Sequence, residues 1–357
     1  MTRERRTSIR IDLISDTAAQ PTPAMRRAMA KAPTGDEQRG EDPSVNRLCE
    51  RAADLLGKEA ALFLPSGIMC NQVALAVHCR AGDEVLAASN AHVLQSEGAA
   101  VATITGALVT PIDAQRGMFQ PGDLARSLRR RKLRAPRPRV ACIEQTSNRG
   151  GGSVWPLAKL QGIADIAGAN GLAMHLDGAR LMNAVVASGV PARAFAAPFD
   201  SVWLGLTKGL GCPVGAVLAG DRDFIDAAWW WKHRLGGAMR QAGILAAAGL
   251  HALDHHVDRL EQDHGAAREL ARRLQSIPGI DIAPALVETN IVLFDLADER
   301  SGADDLADYL LGEGIRVGVE SGRRLRAVTH LGIQPDDLVE VADSVERYML
   351  DMSKPQG

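Results

Sequence analysis

Aromatic residues make up only 4% of this 357-residue chain, so its interior must be filled mainly by Ala, Leu, Val and Ile, a composition that favours helices packed on sheets. The five cysteines, Cys49, Cys70, Cys79, Cys142 and Cys212, are odd in number and form no CxxC pair. Neither a full disulfide framework nor a compact thiolate metal site is signalled; a reducing compartment and no catalytic metal are expected. No stretch approaches the ~20 consecutive apolar residues of a membrane span. The basic opening TRERRTSIRIDLISD lacks the apolar run of a secretory signal, which makes the cytoplasm the expected location. An excess of either sign is also absent: Lys+Arg 41 against Asp+Glu 43 gives net −2, with no global attraction to nucleic acid or anionic membrane. The local basic run Arg126, Arg129, Arg130, Arg131, Lys132, Arg134, Arg137 and Arg139 reads as the solvated end of a helix and a linker interrupted by Pro136 and Pro138; a polyanion contact is the alternative. There is no repeat and no low-complexity tract.

What is present is ordinary globular composition, 46% hydrophobic and 24% charged, at a length that allows two domains or one large core with an added piece. Asp42-Pro43 opens a helix over 44–57 that Gly57 ends. Apolar segments at 84–87, 140–143, 172–176, 201–206 and 214–219 alternate with helical stretches at 68–80, 157–169 and 221–234, the pattern of crossover units on a largely parallel sheet. A helical region over 240–276, broken near His255, precedes strands at 280–283, 289–295 and 315–318 and helices at 302–312 and 335–350. The expected division is an N-terminal arm, 1–20, a large α/β domain, 21–255, and a smaller C-terminal α+β domain, 256–357.

The most informative segment runs from Leu172 to Gly215. LAMHLDGARL ends an apolar strand in Asp177, at the carboxyl end of the sheet where open α/β folds bind ligands, and SVWLGLTKGLG then delivers Lys208 into a glycine-bracketed turn. A lysine amine able to form an imine, paired with a carboxylate able to hold a pyridine nitrogen protonated, is what pyridoxal 5'-phosphate requires. The alternative is a helix-capping Asp177 beside an exposed Lys208. LPSGIMCNQ offers a turn and a helix start in which Ser66, Gly67 and the next amide, Ile68, can receive a phosphate, or in which Ser66 is simply a cap; the GKS/T ending of a P-loop is absent. His92, after the strand at 84–87, either lies flat on a cofactor ring or caps a surface helix. Arg180 and Arg326 either hold a substrate carboxylate by bidentate pairs or sit on the surface.

Together, DLISDT at 12–17, PTPAMRRAM at 21–29, GEDPSVNRL at 40–48, GKEAALFLPSGIM at 57–69, HLDGARLMNA at 175–184, TKGLGCPVGAVLAG at 207–220, GGAMRQAGILAAAGL at 236–250 and RAVTH at 326–330 resemble the threonine aldolase family of the aspartate-aminotransferase-like (type I) pyridoxal-phosphate fold. The matches follow the family's order over nearly the whole chain. The resemblance implies a large domain with a mainly parallel seven-stranded sheet, a smaller α+β domain, and a cytoplasmic homotetramer of paired dimers. The implied reaction splits L-threonine, L-allo-threonine or related β-hydroxy amino acids into glycine and an aldehyde. It carries Lys208 over as the Schiff-base lysine, Asp177 as partner of the pyridine nitrogen, His92 as the ring-stacking histidine and candidate base, and Gly67 as part of the phosphate turn. Ser15, Arg180 and Arg326 match carboxylate-binding residues. Arg240 matches an arginine that reaches the phosphate from a neighbouring subunit.

The chain departs from the family pattern at Ile14, at Ile68, where a threonine hydroxyl is usual, and at Ser147, where many members have a histidine. At Arg39 it carries a cation in place of a tyrosine near the substrate entrance. Arg39 invites a substrate with a second carboxylate, or pairs with Glu37 or Glu41. The competing functions are another cofactor reaction, such as a β-eliminating lyase, aminotransferase or racemase, and a noncatalytic α/β assembly protein.

Overall fold

The computed structural model describes residues 8–128, 134–298 and 302–352. Residues 1–7 of the opening tail and Arg129, Arg130, Arg131 and Lys132 of the basic run lie outside the described residues. Of that run's described members, Arg126 pairs with Asp123 and Arg137 with Asp83. Two compact units form: Pro21–Asp258 make one, and the segment ending at Gln20 joins the segment beginning at Arg259 in the other.

The first described strand, β1 (Ile11–Asp12), belongs to the smaller unit. The larger unit is built on β2 (Ala60–Leu64), β3 (Asp83–Ala88), β4 (Leu108–Ile112), β5 (Arg137–Glu144), β6 (Ala173–Gly178), β7 (Ser201–Gly205) and β8 (Ala216–Gly220), ordered β2-β8-β7-β6-β5-β3-β4. Strands β3 to β7 pair in parallel and β8 runs antiparallel to both its neighbours, so the sheet is seven-stranded and mainly parallel as the resemblance implied. Two of these strands carry weak sequence signals. The β2 run ALFL is short and crowded between Gly57 and Pro65, and β4 is an edge strand holding Pro111, whose missing N–H an edge tolerates.

The register positions the chemistry. Asp177 pairs with Trp203 and His175 with Ser201 across β6 and β7, while Glu144 pairs with Asp177 across β5 and β6. Alternation along each strand then turns His175, Asp177, Ser201 and Trp203 to one face. On that face Trp203 packs with Cys70, Val73 and Ala74 of the helix Gly67–His78. The helix expected over 44–57 spans Pro43–Leu56, its start capped by Asp42 and its end turned by Gly57 at φ 64°. The region 240–276 is two helices, Gly243–His255 and Leu260–Gln275.

In the smaller unit, β9 (Ile280–Asp281), β10 (Ile291–Leu296), β12 (Gly318–Ser321) and β13 (Arg324–Val328) form an antiparallel sheet, and β11 (Ile315–Arg316) pairs in parallel with β1. Ile11 and Leu13 are buried with Leu270, Phe294, Leu325 and Val345. The segment read as an arm therefore carries core residues of this unit, because its two alternating apolar side chains share a face. No helix among the described residues is long and apolar enough to cross a membrane.

One ion pair in the larger unit lies out of water. Lys232 and Glu37 pair with side chains 0% and 1% exposed; Glu37 also accepts the Met239 N–H at 2.8 Å, and the Lys232 ammonium lies 4.5 Å from the Trp229 ring centroid. Glu37 is thus unavailable to Arg39, whose partner is neither Glu37 nor Glu41 but Asp36, at 3.8 Å. Removing one partner of a buried pair strands the other charge, so Glu37→Ala should cost about 3–5 kcal/mol in urea unfolding, whereas Arg39→Ala should stay within about 0.5 kcal/mol. Equal losses in the two variants would contradict this account.

Candidate active site

The site is built around a carboxylate taken out of water at the carboxyl end of β6. Asp177 is buried; its Oδ2 accepts from Asn71 Nδ2 at 2.8 Å and its Oδ1 from the Ala179 N–H at 3.0 Å. Burial raises its pKa, and the charge of Glu97 adds to that; the Asn71 hydrogen bond and the charges of Lys208 and His92 pull the other way. Asn71 stands one turn into the helix Gly67–His78 and also donates to Glu97 Oε1 at 2.7 Å. Gln72 donates to the other Glu97 oxygen at 2.6 Å.

His92 opens a four-residue helix after β3, and its Nδ1 lies 2.9 Å from Glu97 Oε1. That hydrogen bond is the main cause of a raised His92 pKa and keeps a proton on Nδ1, leaving Nε2 as the acceptor. Glu144, at the end of β5, accepts the N–H groups of His92 at 3.3 Å and Asn148 at 3.2 Å. Burial and the neighbouring Asp177 push its pKa up to about 7.

Lys208 follows β7 in a tight turn closed by the Gly211 N–H to the Lys208 carbonyl at 2.8 Å, and its ammonium lies 5.9 Å from the Trp203 ring centroid. The Trp203 indole is held by its N–H to Asn71 Oδ1 at 2.6 Å and packs so closely on the helix start that a Cβ at Gly67 would collide with it. Ser66 caps that helix, accepting the Met69 N–H at 3.2 Å; Ile68 is 43% exposed in the first turn. Arg180, buried at the mouth of the same loop as Asp177, donates to Asn148 Oδ1 at 3.0 Å. Ser147 is buried, its N–H bonded to the Ser153 carbonyl at 3.1 Å.

Arg240 is 60% exposed and pairs with Asp36 at 2.8 Å, beside the 71% exposed Arg39. Ser15, in the smaller unit, accepts the Thr17 N–H at 3.3 Å, and Arg326 of the same unit pairs with Glu320 at 3.1 Å. Asn71, Glu97, Glu144 and Trp203 escaped the reading of motifs. The signal for Asn71 and Trp203 was periodicity: Asn71 is one turn beyond Ser66, and Trp203 alternates with Ser201 toward the Asp177 face.

Ligand atoms of His92, Glu97 and Asp177 all lie within 4.8 Å of one another, so the three act as one electrostatic unit. The donor set also fits pyridoxal phosphate: an amine beside a buried acid, a histidine at the same acid cluster, and a capped helix start whose first amides have no intrahelical partner. The seven-stranded sheet, with Asp177 near the end of β6 and the Lys208 turn after β7, has the aspartate-aminotransferase-like fold that the resemblance implied.

Residues 12–298 match the β-eliminating lyase family. The chain is 39% identical over 333 residues to the low-specificity L-threonine aldolase of Escherichia coli K12, covering 93% of this chain and 97% of that protein. It is 37% identical over 350 residues to low-specificity L-threonine aldolase 1 of Arabidopsis thaliana, covering 97% and 98%. The chain therefore belongs to the β-eliminating lyase family, in its threonine aldolase branch. Its fold matches the threonine aldolase of Leishmania major with a TM-score of 0.81 at 20% identity, over 95% of this chain and 99% of that one.

Glu144 makes the site's electrostatics measurable. Its folded pKa, about 7, stands above the ordinary 4.5, so the folded protein binds the extra proton between those values, and the associated stability is lost as pH rises through 7. Glu144→Gln cannot lose a proton. Measured by urea unfolding without cofactor, the variant should gain on the parent steadily from pH 4.5 upward and level off above 7; a difference independent of pH would refute the assignment.

Proposed function

We propose that this chain is a pyridoxal-phosphate-dependent aldehyde-lyase that cleaves L-threonine, L-allo-threonine and related β-hydroxy-α-amino acids between Cα and Cβ, yielding glycine and an aldehyde. The observation that carries the reading is the buried Asp177 carboxylate opposed by Lys208, in a chain 37–39% identical to proteins named low-specificity L-threonine aldolases.

Bound in this site, the cofactor supplies a conjugated ring that accepts the electron pair released as Cα–Cβ breaks. Lys208 is the residue that holds it covalently through its amine. Asp177 would keep a proton on the ring nitrogen, because a carboxylate within a few ångströms favours the charged form of an opposing base. Ser66, Gly67 and Ile68 hold the phosphate at the helix start. Arg180 would hold the substrate carboxylate and so orient the substrate for Cα–Cβ scission.

His92 would support the cofactor ring and take the β-hydroxyl proton on Nε2, directly or through a water; the Glu97 hydrogen bond on Nδ1 strengthens it as a base. Ser147, a hydroxyl on a bonded turn, has no comparable basicity at neutral pH. Ser15 and Arg326 as substrate-carboxylate residues rest on their motif matches. A cytoplasmic homotetramer of paired dimers completes the reading, with the exposed Arg240 guanidinium reaching a neighbouring subunit's phosphate.

Given threonine alone, the holoenzyme should release acetaldehyde and glycine in equal amounts without a keto acid. Asp177→Asn, at equal cofactor occupancy, should lose about 100-fold or more in kcat, the scale of a lost preorganised charge. Acetaldehyde release within about twofold of the parent would reject the proposed role of Asp177, and keto-acid formation would reject the reaction.

A further inference from the structure

Behind Asp177 a line of polar side chains crosses the otherwise apolar layer between the sheet and the helix Gly67–His78. We propose that His78, Ser201, His175 and Asn71 form a hydrogen-bond chain with a single direction that ends on Asp177, holding its carboxylate ionised and oriented; these four are positioning residues for the reaction. The inference rests on the reading of Asp177 as partner of the cofactor's ring nitrogen.

The direction follows from the donor and acceptor inventory. Trp203 Nε1 can only donate, so the Asn71 atom 2.6 Å from it is the carbonyl oxygen, and the Asn71 amide nitrogen faces Asp177 and Glu97 at 2.8 and 2.7 Å. His175 Nε2 lies 3.0 Å from that same oxygen and must therefore carry a proton. His175 is fully buried, and desolvation drives its pKa down to about 3, so the ring is neutral and its Nδ1 is an acceptor. Ser201 Oγ, 2.8 Å from Nδ1, then donates its one proton there.

Having spent that proton, Ser201 Oγ must accept from His78 Nε2, also at 2.8 Å. Burial likewise lowers the His78 pKa, to about 4, and Phe224 stacks on its ring at 4.9 Å. Beyond His78 the chain reaches a cavity of about 520 Å³ that Arg139, Asp200 and Asp221 also line.

Every proton in the line points toward Asp177, so the bond dipoles add rather than cancel and polarise one another in a low-dielectric layer. Two N–H groups, from Trp203 and His175, lock Asn71 in the one orientation that presents its amide to the carboxylates. Reversed, Asn71 would set its oxygen against two acids and its N–H2 against two N–H donors.

Neutron diffraction of the perdeuterated holoenzyme tests the direction. The expected deuterons are on Nε2 alone of His175 and His78, with Ser201 O–D aimed at His175 Nδ1; a deuteron on His175 Nδ1 would overturn the proposal. Its action on the cofactor is read by dissociation constants for pyridoxal phosphate and for its deaza analogue, in which C–H replaces the ring nitrogen. Breaking the line in His175→Phe, or more gently in Ser201→Ala, should weaken pyridoxal phosphate by about tenfold and leave the analogue nearly unchanged, the scale of one charged hydrogen bond. Equal weakening of both ligands, or of neither, would overturn it. Asp177→Ala serves as reference: if it too fails to separate the two ligands, the reading of Asp177 falls; if it separates them and the chain variants do not, the chain alone falls.

Discussion

A carboxylate without water must be compensated on every side, and much of the site is arranged around that requirement for Asp177. The register that sets Trp203 beside it brings in the indole that orients Asn71, and Asn71 supplies the donor that water would otherwise provide. Gly67 belongs to the same constraint: the helix carrying Asn71 comes close enough only because its first residue has no side chain to meet Trp203. Packing and charge are therefore one problem here, since a shift in the helix would expose the amide and the acid together.

The acids are also concentrated. Asp177, Glu97 and Glu144 converge on a region that also holds His92 and Lys208; burial and the neighbouring Asp177 raise the proton affinity of Glu144, and the Glu97 hydrogen bond raises that of His92. Such a cluster favours groups that carry or accept a proton, an amine and a protonated pyridine among them, over neutral ones. It also gives His92 a fixed tautomer without a water having to supply it.

The strand-end aspartate and the lysine turn were legible because each sits at the end of an apolar run, where strand periodicity alone decides which way a side chain points. The resemblance to threonine aldolases was legible for the same reason, as its motifs are the segments that end strands and begin helices. Glu144 and Glu97 were not, because nothing local marks them: their place depends on β5 lying beside β6 and on a turn after β3. Arg39 illustrates the opposite failure. Its neighbours Glu37 and Glu41 were the obvious partners in sequence, yet Glu37 turns inward to Lys232, and the short helical turn presents Asp36 instead. Strands β2 and β4 escaped because one is brief and the other is an edge.

The central claim is that a single lysine, Lys208, carries the cofactor opposite Asp177. Borohydride reduction of the holoenzyme followed by proteolysis and mass spectrometry addresses it directly, because reduction fixes the cofactor on whichever amine holds it. The account predicts one pyridoxyl-bearing peptide, containing Lys208. A pyridoxyl group on any other lysine, such as Lys58 or the buried Lys232, with Lys208 unmodified, would contradict it.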